Sequence, residues 1–159
     1  MRHLKLLILI ICLCPVAQSQ DFSCGQPSDL KGLKKVYVDT GTDLKSRLRI
    51  IRELNRPGLG LTLLDEPESA EVILDFNGRT EHQDEKLTVY VHYPHPHLDT
   101  LPVHKQLLIG RGRVFVVKDG KPRSVMSFEN TKSTFWERDP ATNFGRNFRK
   151  LYRQANGIK

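Results

Sequence analysis

The spacing of apolar residues changes along the chain from the alternation of strands to the longer repeat of helices. Residues 33–39 contain β-branched and aromatic residues, place Val36 and Val38 on one face and end at Thr40-Gly41, which predicts a strand and a turn. The next segment repeats every three to four residues, with apolar positions at Leu44, Leu48, Ile51 and Leu54. We therefore predict a helix that packs these four side chains against a sheet.

Both predicted helices have start and stop signals. Thr42 or Asp43 suits the cap of the first, and Pro57 follows its end. Asp139-Pro140 begins the second, and Asn156-Gly157 suits a left-handed end. The apolar positions of this C-terminal helix are Phe144, Phe148, Leu151, Tyr152 and Ala155.

Between the helices the chain alternates in several short runs. The predicted strands are 61–64, 71–76, 87–93, 113–118 and 122–129. Residues 77–86 predict a solvated loop, 94–112 an irregular excursion, and Asp119-Gly120 a tight hairpin turn. The element order is then β-α-β-β-β-β-β-α, an α+β fold in which a mixed sheet carries both helices on one face. Residues 33–157 form one domain, and its first three elements form a right-handed parallel crossover.

The N-terminus has the pattern of a secretory signal. Two basic residues precede an apolar run from Leu6 to Cys14, and Ala17-Gln18-Ser19 places small residues where a signal peptidase cleaves. We expect cleavage near Ser19 and a periplasmic or secreted product. The apolar run is too short to span a bilayer, so we expect no transmembrane segment.

Removal of residues 1–19 changes the net charge and the number of cysteines in the chain. The 159-residue chain has 25 Lys and Arg against 18 Asp and Glu, net +7, and the loss of Arg2 and Lys5 leaves net +5. Cys24 then has no partner in its own chain, and a disulfide between two chains stays open. Residues 20–32 are polar and predict a flexible N-terminal arm.

Asp39-Thr40-Gly41 resembles the catalytic loop of aspartic proteases. Residues 107–111 (LLIGR) also resemble the apolar-Gly-Arg element of the retroviral-type members. This resemblance implies a homodimer in which two copies of Asp39 share a proton around a water molecule. The helix predicted after Gly41 favours a simpler interpretation, a strand-to-helix turn.

Histidines suggest a second possible chemistry. His95 and His97 flank a proline close to His92, and imidazole binds zinc, copper and nickel. The spacing lacks the pattern of structural zinc sites, so a solvated loop is the favoured interpretation. We predict no cofactor.

The C-terminal helix has a basic face that could contact an anionic envelope polymer or an envelope protein. Its residues are Arg146, Arg149, Lys150 and Arg153. The expected export argues against nucleic acid, and a solvated face is the default interpretation.

The order of elements resembles small exported bacterial domains of the CsgG-like and LptE-like type, and also uncharacterised secreted bacterial proteins. The resemblance rests on three stretches: LKKVYVDTGTDLKSRLRIIREL, LTLLDEPESAEVILDF, and GRVFVVKDGKPRSVMSFENT leading to PATNFGRNFRKLYRQANG. It implies an envelope-associated accessory domain and transfers no catalytic residue. We therefore expect a non-enzymatic binding module, with the Asp39 protease and the His92, His95 and His97 metal site as alternatives. The ligand and the oligomeric state stay open.

Overall fold

The computed structural model describes residues 24–91, 97–133 and 137–158, and these ranges form a mixed sheet and two helices. A short 3-10 helix over Pro27–Leu30 comes first. The elements that follow are β1 (Lys35–Asp39), α1 (Leu44–Leu54), β2 (Thr62–Leu64), β3 (Val72–Val91), β4 (His97–Lys118), β5 (Lys121–Lys132) and α2 (Pro140–Asn156). The predicted α+β class is confirmed.

The sheet has the strand order β2-β1-β3-β4-β5 within the described residues. β1 lies parallel to both β2 and β3, so the predicted parallel pairing of the first two strands is confirmed. β3 pairs antiparallel with β4, and β4 pairs antiparallel with β5. Asp119 and Gly120 have φ values of 54° and 71°, as a tight hairpin turn between β4 and β5 requires.

Two predicted loops are strand instead. Residues 77–86 continue β3, and residues 97–112 belong to β4, so five described strands replace the predicted six. Residues 77–86 carry no apolar side chain and almost all are exposed, so they lack the one-sided apolar alternation that sequence patterns detect. Residues 97–112 do contain apolar side chains, but Pro102, Gly110 and Gly112 within them favoured a loop.

The predicted helix caps are confirmed. The Asp43 carboxylate accepts a hydrogen bond from the Ser46 amide at 3.1 Å. The Asp139 carboxylate accepts from the amides of Ala141 and Thr142, at 3.0 and 3.3 Å. Gly157 ends α2 with a φ of 64°. Each cap satisfies amides or carbonyls that the helix itself leaves unpaired.

The core lies between the two helices and one face of the sheet. The fully buried side chains include Val36, Val72, Leu74, Val114 and Val116 from strands and Ile50, Phe144 and Phe148 from helices. The Phe144 ring lies 5.4 Å from the rings of both Phe76 and Phe128. A Cβ on Gly112 would come within 2.6 Å of the Phe144 ring, so this ring lies on the strand only because Gly112 has no side chain.

The inward face of α1 differs from the prediction. Leu54 is buried as expected, but Leu44 and Leu48 are 66% and 63% exposed, and Ile50 is buried in their place. The cause is the contact with α2, because a Cβ on Gly145 would lie only 3.3 Å from the Ile50 backbone. This close approach turns the Ile50 side of α1 inward.

Residues 24–32, part of the predicted N-terminal arm, lie against the domain. Leu30 is fully buried. The Gly25 amide donates to the Ser124 carbonyl at 2.8 Å, and Asp29 forms an ion pair with Lys118 at 2.7 Å. This ion pair lowers the pKa of the Asp29 carboxyl. The segment therefore contributes to the folded unit.

Candidate functional site

Asp39, Thr40 and Gly41 form the turn between β1 and α1. The Asp39 carboxylate accepts a hydrogen bond from the Gly41 amide at 2.9 Å, and the Thr40 hydroxyl donates to the Asp43 carbonyl at 2.9 Å. The Ser46 hydrogen bond lowers the pKa of the capping Asp43 carboxyl. These contacts match a strand-to-helix turn. The homodimeric protease, which needs Asp39 from a second copy, stays an untested prediction.

The sheet face away from the helices has a polar groove next to this turn. Asp75, the partner of Asp39 in the β1–β3 register, pairs with Arg113 at 3.0 Å, and Arg111 pairs with Glu129 at 3.1 Å. The groove has a volume of about 490 Å³. Each guanidinium faces a carboxylate, so this groove offers no net charge from these four side chains to attract an ionic ligand.

A smaller cavity of about 160 Å³ lies where α1 and α2 begin. Asp43 and Asp139 line it, and each already caps its own helix. Arg49 forms an ion pair with Asp139 across the cavity. The helix amides that could hold an anion are therefore bonded to carboxylates.

The most unusual feature is a two-stranded ribbon formed by Glu81–Val91 of β3 and 97–107 of β4. β1 pairs with β3 only as far as Asp75, and β5 pairs with β4 only as far as Leu108. Beyond these points, β3 and β4 pair only with each other among the described strands. At about 3.3 Å per residue, the ribbon is about 35 Å long.

The ribbon's described side chains are mostly exposed and carry charge. His104 contacts Asp84 at 2.7 Å, and Lys105 forms an ion pair with Glu85. The side chains of His104 and Asp84 are 76% and 82% exposed. Exposed pairs of this kind stabilise a hairpin by less than about 1 kcal/mol each. The ribbon thus depends on its main-chain hydrogen bonds and on its continuity with the sheet.

The predicted histidine site lies largely outside the described residues. His92 and His95 are not among them, and for His97 the structure describes only the backbone, opposite Val91 in the register. Within the described ranges, no group of three or more potential metal ligands comes together. The metal site stays a prediction.

The predicted basic face of α2 divides into two roles. Arg149 points toward α1, where its Nη1 lies 3.0 Å from the Oε2 of Glu53, a residue that is 3% exposed. Lys150 is exposed, and Arg146 and Arg153 are half-buried. Arg149 is therefore part of the interface between the helices, and the outward basic surface consists of the other three.

Two features were missed by sequence reasoning. The strand at 87–93 was predicted, but the full ribbon was not, because residues 77–86 carry no apolar side chain and residues 94–112 contain three prolines and two glycines. In the structure Asp84 pairs with His104 and Gln83 with Lys105 in the strand register. The second missed feature is the exposure of Leu44 and Leu48 on α1. They were predicted to lie in the core because helical spacing alone does not show which side of a helix faces the sheet. Cys24, also singled out, is exposed and forms no disulfide among the described residues, and its backbone pairs in parallel with Ser124 of β5.

Comparisons with known proteins give only distant likenesses. No protein-family model matches the chain, and no curated protein matches it significantly. A PDZ domain protein from Parabacteroides distasonis is 14% identical over 76% of this chain, with a TM-score of 0.40, and the chain spans 31% of that protein. The hypothetical protein CT253 from Chlamydia trachomatis is 13% identical over 79% of this chain and 97% of its own, with a TM-score of 0.37. TM-scores this low support no argument about fold or function.

Neither helix in the described ranges is long and apolar enough to cross a membrane.

Proposed function

We propose that this chain is an exported, non-enzymatic binding module of the bacterial envelope, and that its ribbon binds a partner protein by strand addition. The observation that carries the proposal is the ribbon's geometry. Two strands continue well past their neighbours in the sheet, and both of their outer edges lack a strand partner among the described residues.

Unpaired strand edges are binding surfaces for extended polypeptides. The outer edge of β3 is open from Phe76 to Val91, and that of β4 from His97 to Leu107, within the described strands. Each edge presents a row of amides and carbonyls to which an added strand can bond. An isolated two-stranded hairpin has marginal stability in water, and a third strand would stabilise it.

The rest of the proposal rests on the sequence. The signal pattern at residues 1–19 supports export, and the resemblance to CsgG-like and LptE-like envelope domains supports an accessory role there. The turn hydrogen bonds of Asp39 and Thr40 give these residues a structural task that requires no catalysis.

Shortening the ribbon tests this proposal. Residues 84–104 are replaced by Asn-Gly, which joins Gln83 to Lys105 at a position where they are already paired. The buried core residues of the strands lie at 36–76 and 114–116, so the shortened domain should fold with an unchanged melting profile. Both forms are then incubated with envelope extract at low salt, and captured proteins are identified by mass spectrometry.

A captured protein supports the proposal only if it passes two further measurements. Once purified, it should protect ribbon amides of the intact chain from hydrogen exchange, and it should not bind the shortened form. The matched control exchanges Lys31 and Lys121, both exposed and outside the ribbon, for glutamine. Equal binding of the intact and shortened forms, or capture of no partner, contradicts the proposal.

A further inference from the structure

The outward face of α1 carries two leucines that the fold does not use. Leu44 and Leu48 are 66% and 63% exposed, and with Leu101 they are the exposed large apolar side chains of the described residues. They lie four residues apart, so they form one apolar stripe along the helix. Contiguous exposed apolar side chains, unlike scattered single ones, mark contact surfaces as the patch they form grows.

The charges around this stripe have one sign. Lys45, Arg49 and Arg52 are exposed on α1, and Arg56 is exposed just beyond its end. Arg49 and Arg56 have carboxylate partners in Asp139 and Glu53. Lys45 and Arg52 have no ion-pair partner within the described part of the chain. Glu53 is the acidic residue of the helix, and it is buried against α2.

The neighbouring helix extends the same surface. α1 and α2 cover one face of the sheet side by side and share the core, so their outward sides face in the same direction. On α2, Lys150 is exposed and Arg146 half-buried, and both lie opposite the buried Phe144 and Phe148 by helical spacing. The leucines thus lie on an outward surface whose exposed charged side chains are positive.

We propose that this surface docks on an anionic phospholipid bilayer, with Leu44 and Leu48 inserted among the lipid headgroups and Lys45 and Arg52 on lipid phosphates. Leucines that enter the headgroup region and basic residues that meet anionic lipid are the two contributions that hold a helix at a membrane surface. The exposed leucine pair and the single sign of the surrounding charge favour the bilayer.

The proposal is independent of the ribbon, because no ribbon residue takes part in it. It adds a location to the binding function, since a domain held on a membrane through α1 leaves β3 and β4 to contact a partner.

Vesicle binding tests the proposal. The chain is recovered after export, its N-terminus is read by mass spectrometry, and binding is measured by flotation with vesicles of phosphatidylcholine alone or mixed with phosphatidylglycerol. We expect binding to the anionic vesicles alone. Since each basic residue contributes about fivefold near an anionic surface, Lys45→Gln with Arg52→Gln should weaken binding about 25-fold at low salt. Leu44→Gln with Leu48→Gln should weaken it at least about tenfold.

Matched variants separate this surface from general attraction. Lys31→Gln with Lys121→Gln makes the same change in net charge away from α1, and Leu101→Gln removes an exposed leucine from the ribbon. Both should bind like the unchanged chain, as should the shortened ribbon. Because the replaced side chains are exposed, all variants should keep the same melting temperature.

Three results overturn the proposal. The first is failure to bind anionic vesicles. The second is equal weakening by the Lys31 and Lys121 pair, which would show attraction by net charge alone. The third is leucine-dependent binding to poly-L-glutamate in place of vesicles, which would assign the surface to an acidic polypeptide.

Discussion

The interface between the two helices contains a buried ion pair whose removal should destabilise the fold strongly. Glu53 of α1 is 3% exposed, and its Oε2 faces the Arg149 guanidinium at 3.0 Å without hydrogen-bond geometry. The Arg149 side chain is 15% exposed, whereas Arg56, which contacts the other carboxylate oxygen at 2.8 Å, is 55% exposed. The two arginines therefore form a matched comparison.

Arg149→Met keeps most of the side-chain volume and removes the charge. Loss of one partner of a fully buried pair costs about 3–5 kcal/mol, and because Arg56 still neutralises part of Glu53, we expect a cost of about 2 kcal/mol. Arg56→Met should cost about 0.5 kcal/mol, because its charge is solvated. Replacing Glu53 and Arg149 together by methionine should restore most of the stability, since no charge is then left buried.

Urea unfolding followed by circular dichroism measures these differences. With a slope of about 1.5 kcal/mol per molar, Arg149→Met should lower the urea midpoint by more than about 1 M, and Arg56→Met by about 0.3 M. Equal effects of the two substitutions, or a double variant less stable than Arg149→Met alone, would refute the reasoning. Either result would mean that the pair lies in an environment as well solvated as the surface.

Three further predictions follow from single residues. The Glu71 carboxylate accepts hydrogen bonds from the backbone amides of Lys34 and Lys35, and these hydrogen bonds hold its pKa below the usual 4.5. The charged Glu71 carboxylate therefore contributes its full stability above pH 4.5, and this contribution is lost as the pH falls through the lowered pKa of the folded state. In acid, the melting temperature of Glu71→Gln should therefore approach that of the unchanged chain. Gly112→Ala should cost about 2 kcal/mol in urea unfolding by overpacking Phe144, whereas Gly78→Ala, whose Cβ would meet contacts of 3.4 Å or longer, should cost much less. Neither the unchanged chain nor Asp39→Asn should cleave peptides at acidic pH. Cleavage by the unchanged chain that Asp39→Asn abolishes would support the protease hypothesis.

Local chemistry made parts of this fold predictable. The helix caps at Asp43 and Asp139 and the Asp119-Gly120 turn follow from which residues can accept amides or adopt a positive φ. These preferences act over a few residues, so a sequence reveals them without knowledge of the rest of the chain. The α+β class follows similarly from the change between strand and helix periods.

The direction of α1 could not be predicted because it depends on another helix. Leu44 and Leu48 lie four residues apart, as the buried Ile50 and Leu54 do, and the predicted Ile51 packs half-buried against the core. Gly145 and Arg149 on α2 decide between the two, one by allowing close approach and the other by neutralising Glu53. Both lie about a hundred residues away in sequence, beyond the reach of any periodicity.

The ribbon was missed for a different reason, which also bears on function. Apart from the predicted strand 87–93, its segments were interpreted as loops because of their polar side chains, prolines and glycines. None of the ribbon side chains that the structure describes belongs to the buried core, and the ion pairs of Asp84 and Glu85 are exposed and weak. The free energy that keeps the ribbon closed must therefore fall toward its tip, as it does in any segment with few buried contacts. Such a segment contributes little to the stability of the domain that carries it. A partner strand bonded to the edge of β3 or β4 would lower the free energy of the ribbon itself, so the stretch that the core stabilises least is the one that gains most from binding.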